Sequence, residues 1–128
     1  MHIYVDFFTT FVAAILFMIF HAAWYSDYLF GNLWKKAIHL QKKHSIYSYV
    51  GVFMIGWIIA YFIGMVEFFL KVTSFWDGVL AGFIIWLGFI LPALYYPVVW
   101  GKRRHLPFFI EVTCFLLQLM VMGGVIAG

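Results

Sequence analysis

The chain has 128 residues, of which 66% are hydrophobic, 23% aromatic and only 10% charged. A soluble domain carries roughly 25% charged residues, so this composition, with a mean hydropathy of +1.02, favours lipid as the solvent. The net charge of +3 does not indicate nucleic-acid binding, because the basic residues lie in short loops between apolar runs. The single cysteine excludes a disulfide framework within the chain and a cysteine-based zinc site.

Four apolar segments are long enough to cross a membrane. A hydrocarbon core about 30 Å thick needs roughly 20 helical residues, and backbone groups in lipid must be paired within their own element. We therefore predict an all-α fold, a single-domain integral membrane four-helix bundle. The predicted spans, first to fourth, are residues 5–25, 46–69, 78–100 and 107–127.

The basic residues predict the orientation of this bundle. Seven of the eight Lys and Arg residues lie between the first and second spans or between the third and fourth, and only Lys71 lies on the other side. Cytoplasmic loops carry the excess of Lys and Arg. Both basic loops are therefore expected in the cytoplasm and both termini outside. The first span has no basic residue before it and is too long for a signal peptide, so we expect it to be retained.

The first span ends in a segment rich in aromatic residues. His21 lies about one helical turn inside the predicted cytoplasmic edge, and Trp24, Tyr25 and Tyr28 follow on the same face if the helix continues. Trp and Tyr are typical of the membrane interface, which explains these aromatic residues but not the buried imidazole beside them.

The loop that follows is predicted to form an amphipathic helix on the membrane surface, at about residues 33–44. Its apolar residues are interleaved with lysines, the pattern of an interfacial helix. The lysines are expected to bind anionic lipid head groups. They are Lys35, Lys36, Lys42 and Lys43.

Small residues recur every four positions in three of the spans, which lets a neighbouring helix approach closely. Packing within the chain is the simpler use of these residues, although a homo-oligomer could share one of the faces. They are Gly56, Ala60 and Gly64 in the second span, Gly78 and Gly82 in the third, and Gly124 and Gly128 in the fourth.

Three patterns from the end of the second span onward have structural interpretations. Glu67 and Lys71 are four apart with the acid first, which predicts a local ion pair. Ser74 and Asp77 have the S-x-x-D form of a capping box at the start of the third helix. Pro92 is expected to kink that helix.

The fourth span carries a polar stripe, since Cys114 and Gln118 follow Glu111 at three and seven positions. Glu111 would lie about 6 Å below Pro107 at 1.5 Å per residue, and His21 lies at a comparable depth from the same side. An ionisable residue within a membrane is a functional hypothesis by default. If the first and fourth spans are neighbours, His21 and Glu111 could pair.

Such a pair has two compatible interpretations. It could relay protons, bind a cation or orient a polar head group, or it could be satisfied internally and only hold the helices together. Arginines on the adjacent loop could hold an anionic group. The candidate binding residues are His21, Trp24, Tyr25, Tyr28, Arg103, Arg104, Glu111 and Gln118.

No catalytic or cofactor signature accompanies these residues. The sequence has no H-E-x-x-H, G-x-S-x-G, P-loop or dinucleotide fingerprint. No two His or Cys residues stand at a convincing metal-ligand spacing, so neither a metal nor a cofactor is expected.

The segment WYSDYLFGNLW resembles the W-Y-S-x-x-x-F-G-x-x-W signature of the bacterial membrane family catalogued as domain of unknown function 1761. GFIIWLGFILPALYYPVVWGKRRH and FFIEVTCFLLQLMVMGGVIAG are similar to that family's closing spans. The resemblance covers nearly the whole chain and implies a compact four-span fold without an assigned activity. A proline commonly follows W-Y-S in the family, where this chain has Asp27. The family-typical positions are Trp24, Tyr25, Ser26, Phe30, Gly31 and Trp34.

We therefore expect an oligomeric protein of the bacterial inner membrane that binds or passes a small solute, ion or lipid group through a polar site in the cytoplasmic half. Two alternatives stay open. An accessory or assembly subunit with no site of its own predicts a dry centre. A small oligomeric membrane enzyme acting on a lipophilic substrate, the less favoured case, predicts a ligand-sized pocket that reaches His21, Glu111 and Arg103.

Overall fold

A computed structural model of the chain describes residues 6–26, 29–38, 46–101 and 105–128. Within these ranges the fold is the predicted all-α bundle. Its elements are α1 (Phe7–Trp24), α2 (Gly31–Ile38), α3 (Ile46–Leu70), α4 (Phe75–Ile85), a π-helical segment (Trp86–Ile90), α5 (Leu91–Trp100) and α6 (His105–Ala127).

Four helical stretches are long and apolar enough to cross a membrane. They are α1, α3, α6 and the continuous stretch Phe75–Trp100, which contains α4, the π-helical segment and α5. The third stretch starts three residues before the predicted bound because Ser74 caps it. The Ser74 hydroxyl accepts a hydrogen bond from the backbone N–H of Asp77 at 3.2 Å, which is the N-cap half of the predicted capping box.

Helix α6 is the centre of the bundle. It contacts each of the other described helices. In its most apolar window 44% of the residues are buried inside the protein, against 22% or less in the other three spans. Large apolar side chains on the outer helices, such as Ile46, Phe62 and Phe89, are mostly exposed, as expected for a surface that meets lipid chains. The core therefore surrounds one helix.

Glycines bring α4 and α6 to backbone contact. A Cβ atom on Gly78 would overlap the carbonyl oxygen of Gly123, and one on Gly82 would overlap that of Leu119. A Cβ atom on Gly56 of α3 would lie 2.6 Å from the ring of Phe17 in α1. These small residues are used in packing within the chain, and the homo-oligomer stays a prediction.

The regular α-helical pattern of the third span is interrupted immediately before Pro92. The π-helical segment Trp86–Ile90 ends where the Leu91 N–H bonds to the carbonyl of Trp86. Proline has no N–H and its ring crowds the preceding turn, and π-bulges are one of the places where long helices change direction. A π-helical segment therefore precedes Pro92, and the kink expected there stays a prediction.

The ion pair expected between Glu67 and Lys71 is wrong. The Val72 N–H bonds to the Glu67 carbonyl at 2.9 Å and the Lys71 N–H to the Phe68 carbonyl at 3.2 Å, the two bonds of a Schellman motif. Lys71 takes the left-handed conformation of that motif, with φ of 57°. Because the chain has left the helix at Lys71, the spacing rule no longer applies. Lys71 is exposed, whereas Glu67 is buried.

Candidate functional site

The segment that follows α1 folds into a tight turn. The Ser26 hydroxyl donates to the carbonyl of Ala23 at 2.7 Å, and the Ser26 carbonyl accepts from the N–H groups of Leu29 and Gly31 at 3.1 and 3.0 Å. A Cβ atom on Gly31 would overlap the carbonyl oxygen of Tyr25. Only glycine therefore fits where α2 begins.

Indole side chains at both ends of this turn hold it against α6. The Trp24 Nε1–H donates to the carbonyl of Ile110 at 3.1 Å, and the Trp34 Nε1–H donates to the carboxylate of Glu111 at 3.0 Å. A third indole, that of Trp86, donates to the carbonyl of the next residue along α6, Val112, at 2.9 Å. Three indole donors therefore meet residues 110–112 of α6.

A cavity of about 340 Å³ lies beside these contacts. The end of α1 and the polar stripe of α6 supply its polar wall, and the remaining wall is apolar. The lining residues are His21, Tyr25, Glu111, Cys114 and Gln118 on the polar side and Phe17, Val52, Ile55, Leu94 and Phe115 on the apolar side.

His21 and Glu111 both line this cavity, from α1 and α6, which are neighbours as the pairing hypothesis requires. Deeper in the bundle the Gln118 Nε2–H donates to the carbonyl of Phe17 at 3.0 Å and joins the same two helices. The residues His21 and Glu111 therefore line one shared cavity between α1 and α6.

A second cavity, of about 280 Å³, lies on the other side of His21. Its lining residues come from α1, from α2 and from the start of α3. His21, Tyr25 and Val52 line both cavities. The Tyr25 ring lies 4.7 Å from that of His21 and 5.1 Å from that of Trp34, measured between centroids. The two cavities are thus adjacent at His21, Tyr25 and Val52.

Residues 8–127 match the model of the family described as protein of unknown function (DUF1761). The chain belongs to the DUF1761 family. This confirms the resemblance inferred from WYSDYLFGNLW. No curated protein and no solved structure matches the chain.

The DUF1761 signature has a structural explanation at each described position. Trp24 and Trp34 donate to α6, Ser26 closes the turn, and Gly31 admits no side chain. Tyr25 packs between the rings of His21 and Trp34. The ring of Phe30 lies 4.6 Å from that of Trp24. Asp27 lies outside the described residues.

Four of the predicted binding residues line the first cavity, namely His21, Tyr25, Glu111 and Gln118. Trp24 does not line it and instead anchors the turn. Tyr28, Arg103 and Arg104 lie outside the described residues.

Sequence reasoning missed Trp34 as the donor to Glu111. The signal was available, because Trp34 closes the family signature, but the two residues are 77 positions apart in the chain. Among the described residues, no group of three or more His, Cys, Asp or Glu side chains is placed to hold a metal ion.

Proposed function

We propose that this DUF1761 protein binds a small amphipathic molecule in the 340 Å³ cavity, with the polar head of the molecule against Glu111 and His21. The observation that carries the proposal is that both ionisable side chains line one cavity in an otherwise apolar bundle. Ligand sites are mostly apolar with a few convergent polar groups, and this volume lies at the small end of their range of roughly 300–1,000 Å³.

The lining defines the class of head group. An ionised carboxylate accepts hydrogen bonds and has no donor, and Glu111 accepts one from the Trp34 N–H. The His21 imidazole can donate or accept. A hydroxyl or a protonated amine suits this wall, whereas a carboxylate or phosphate would be repelled by Glu111. The ligand is therefore a lipid-soluble alcohol or amine.

The apolar side chains suit the rest of such a molecule. Phe17, Ile55, Leu94 and Phe115 come one from each of the four spans and supply the apolar part of the lining. A hydrocarbon body placed there would contact side chains on several sides. The cavity favours ligand binding over an accessory subunit, for which a closed contact between the first and fourth spans is expected.

The proposed setting is the cytoplasmic half of a bacterial inner membrane, with both termini outside. The cavity lies at the same end of the bundle as both basic loops, and the positive-inside rule places those loops in the cytoplasm. Lys35, Lys36, Lys42 and Lys43 would meet anionic head groups on that side.

Cysteine labelling tests this orientation. Cys114 is the only cysteine and is buried, so Cys114→Ala gives a background without thiols. In intact cells a membrane-impermeant maleimide is expected to label Lys71→Cys and to reach Lys36→Cys only after permeabilisation. The reverse pattern would overturn the orientation.

Binding is tested with three probes of one chain length: 1-hexanol, hexylamine and hexanoate. Quenching of tryptophan fluorescence is followed on the purified protein, since Trp34 donates to the Glu111 side chain. We expect saturable binding of the alcohol and the amine and none of hexanoate. Glu111→Gln should weaken hexylamine binding about tenfold, the equivalent of 1.4 kcal/mol.

The matched control is Asp77→Asn, which removes an exposed carboxylate at the other end of the bundle and should bind like the unchanged protein. A response that does not saturate, or one that is identical in Glu111→Gln, means that the probes only partition into detergent. That result would reject the proposed site.

A further inference from the structure

A buried carboxylate, that of Glu67, lies at the end of the bundle opposite the three indoles that contact α6. Only 2% of the surface of Glu67 is exposed, and both of its carboxyl oxygens are buried without a hydrogen-bond donor among the described residues. Burial of an ionised carboxylate without compensation costs several kcal/mol. An ionised Glu67 would therefore require a counter-charge that the described side chains do not supply.

The packing of Glu67 against a glycine explains why its carboxylate has space but no hydrogen-bond donor beside it. A Cβ atom placed on Gly123 of α6 would lie 3.3 Å from Oε1 of Glu67, so the carboxylate lies over the bare backbone of α6. The N–H groups in the interior of a helix are already bonded to their own carbonyls. A glycine surface of this kind offers space and no polar hydrogen.

Glu67 lines a cavity of about 220 Å³ together with Asp6 and Thr9 of the α1 N-terminus. Asp6 is exposed and caps α1, accepting hydrogen bonds from the Phe8 N–H at 3.2 Å and from the Thr9 hydroxyl. The described lining contains two carboxylates and no Lys, Arg or His. The cavity thus presents side-chain oxygens from Asp6, Thr9 and Glu67 beside an apolar wall, with one carboxylate buried and one at the exposed edge.

We propose that this cavity binds a monovalent alkali-metal cation, with the Glu67 carboxylate as its charged ligand and Asp6 at its entrance. Carboxylate and hydroxyl oxygens are hard ligands that suit alkali and alkaline-earth cations. The buried charge to be balanced is a single one, since Asp6 is solvated, so a monovalent ion matches it. The proposal is independent of the Glu111 cavity, with which it shares no lining residue.

The size of the cavity supports a partly hydrated ion. One water molecule occupies about 30 Å³ in the liquid, so 220 Å³ holds an ion with several waters. The exposed Asp6 carboxylate would raise the local cation concentration at the entrance. Glu67 would then replace part of the hydration shell.

The test compares the melting temperature of the purified protein in NaCl, KCl and N-methyl-D-glucamine chloride at equal ionic strength. A ligand that binds only the folded protein raises its melting temperature in a concentration-dependent way. We expect a saturable rise of a few degrees in Na⁺ or K⁺ over the bulky organic cation. Calorimetric titration with NaCl or KCl, whichever gives the rise, should show one site per chain.

Glu67→Gln should abolish this salt-specific rise and melt no lower than the unchanged protein in the organic salt, because a neutral amide needs no counter-ion. Asp77→Asn is the matched control. It removes an exposed carboxylate at the same end that does not line the cavity, and it should keep the full rise.

If Glu67→Gln cannot be purified, Asp6→Asn carries the test. Asn caps helices as well as Asp does, so the fold should persist while the cation concentration at half-effect rises several-fold. Equal melting in all three salts overturns the proposal, as does a rise that survives in Glu67→Gln. Stabilisation of the unchanged protein by acid alone, absent in Glu67→Gln, also overturns it by assigning a proton in place of the metal ion.

Discussion

The two ends of the bundle are held together by opposite means. At one end, the indole end, Trp24, Trp34 and Trp86 reach α6 and donate hydrogen bonds to it. At the other, the glycine end, Gly78 and Gly123 bring the backbones of α4 and α6 into contact. Large side chains at the indole end leave two cavities of about 340 and 280 Å³ between the helices.

The same residue type meets two different environments at these ends. Glu111 accepts a hydrogen bond from an indole at the indole end, whereas Glu67 has no donor among the described residues at the glycine end. The side chain of tryptophan supplies both volume and an N–H donor, whereas glycine has no side chain to supply either. The choice of packing residue therefore decides whether a neighbouring carboxylate is satisfied by the protein.

The largest loss of stability is expected from a substitution at the glycine end. Gly82→Ala places a Cβ atom against the carbonyl oxygen of Leu119, and since two backbones must separate, the stability should fall by about 3 kcal/mol, the upper part of the range for overpacking. Gly51→Ala is the control, because no atom lies within 4 Å of its added Cβ. Thermal melting in detergent measures both, and equal melting of the two variants would contradict the close approach.

The same substitution, glutamate to leucine, should change the stability of the protein in opposite directions at the two carboxylates. Glu111→Leu leaves the Trp34 N–H without its acceptor and should cost about 1–3 kcal/mol. Glu67→Leu removes a buried charge that has no described donor and should stabilise by about 1–2 kcal/mol in a buffer without alkali cations. The melting temperatures of both variants test this prediction. A lower melting temperature in both would show that the protein satisfies the two carboxylates equally well.

Much of the fold follows from the sequence because its signals are local. The four apolar runs, the Ser74 cap and the small-residue spacing are each contained within one helix, and lipid leaves little choice other than helices. The pairing of Glu67 with Lys71 was mispredicted for a local reason as well. A non-glycine residue with positive φ is uncommon, so the sequence around Lys71 does not predict the Schellman motif.

The candidate site was predictable only in part. His21 and Glu111 could be placed at similar depths, and Gln118 on the same helical face as Glu111, and all three line one cavity. The contact of Trp34 with Glu111 depends on how the turn at Gly31 returns the chain towards α6. Helical periodicity carries no information across such a turn.

A smaller expected effect sharpens the description of the indole end. Trp34→Phe and Glu111→Leu, made singly and together, should show a coupling of about 1 kcal/mol, in the range of hydrogen bonds between membrane helices. The same cycle with His21→Ala and Glu111→Gln tests whether the two residues that line the cavity also stabilise each other. Coupled losses are expected if they pair, and additive losses would reject the pairing.

The smallest expected effect concerns how much stability each of the three indole hydrogen bonds contributes. Trp24→Phe and Trp86→Phe each remove a donor to a backbone carbonyl, and they should cost about 0.5 kcal/mol, less than Trp34→Phe. The acceptors are carbonyls in the interior of α6, which keep their helical hydrogen bonds, whereas Trp34 serves a carboxylate. Melting of the three Phe variants gives the order directly. If Trp24→Phe lowers the stability as much as Trp34→Phe does, ring packing and not the charge of the acceptor determines how much each indole contributes.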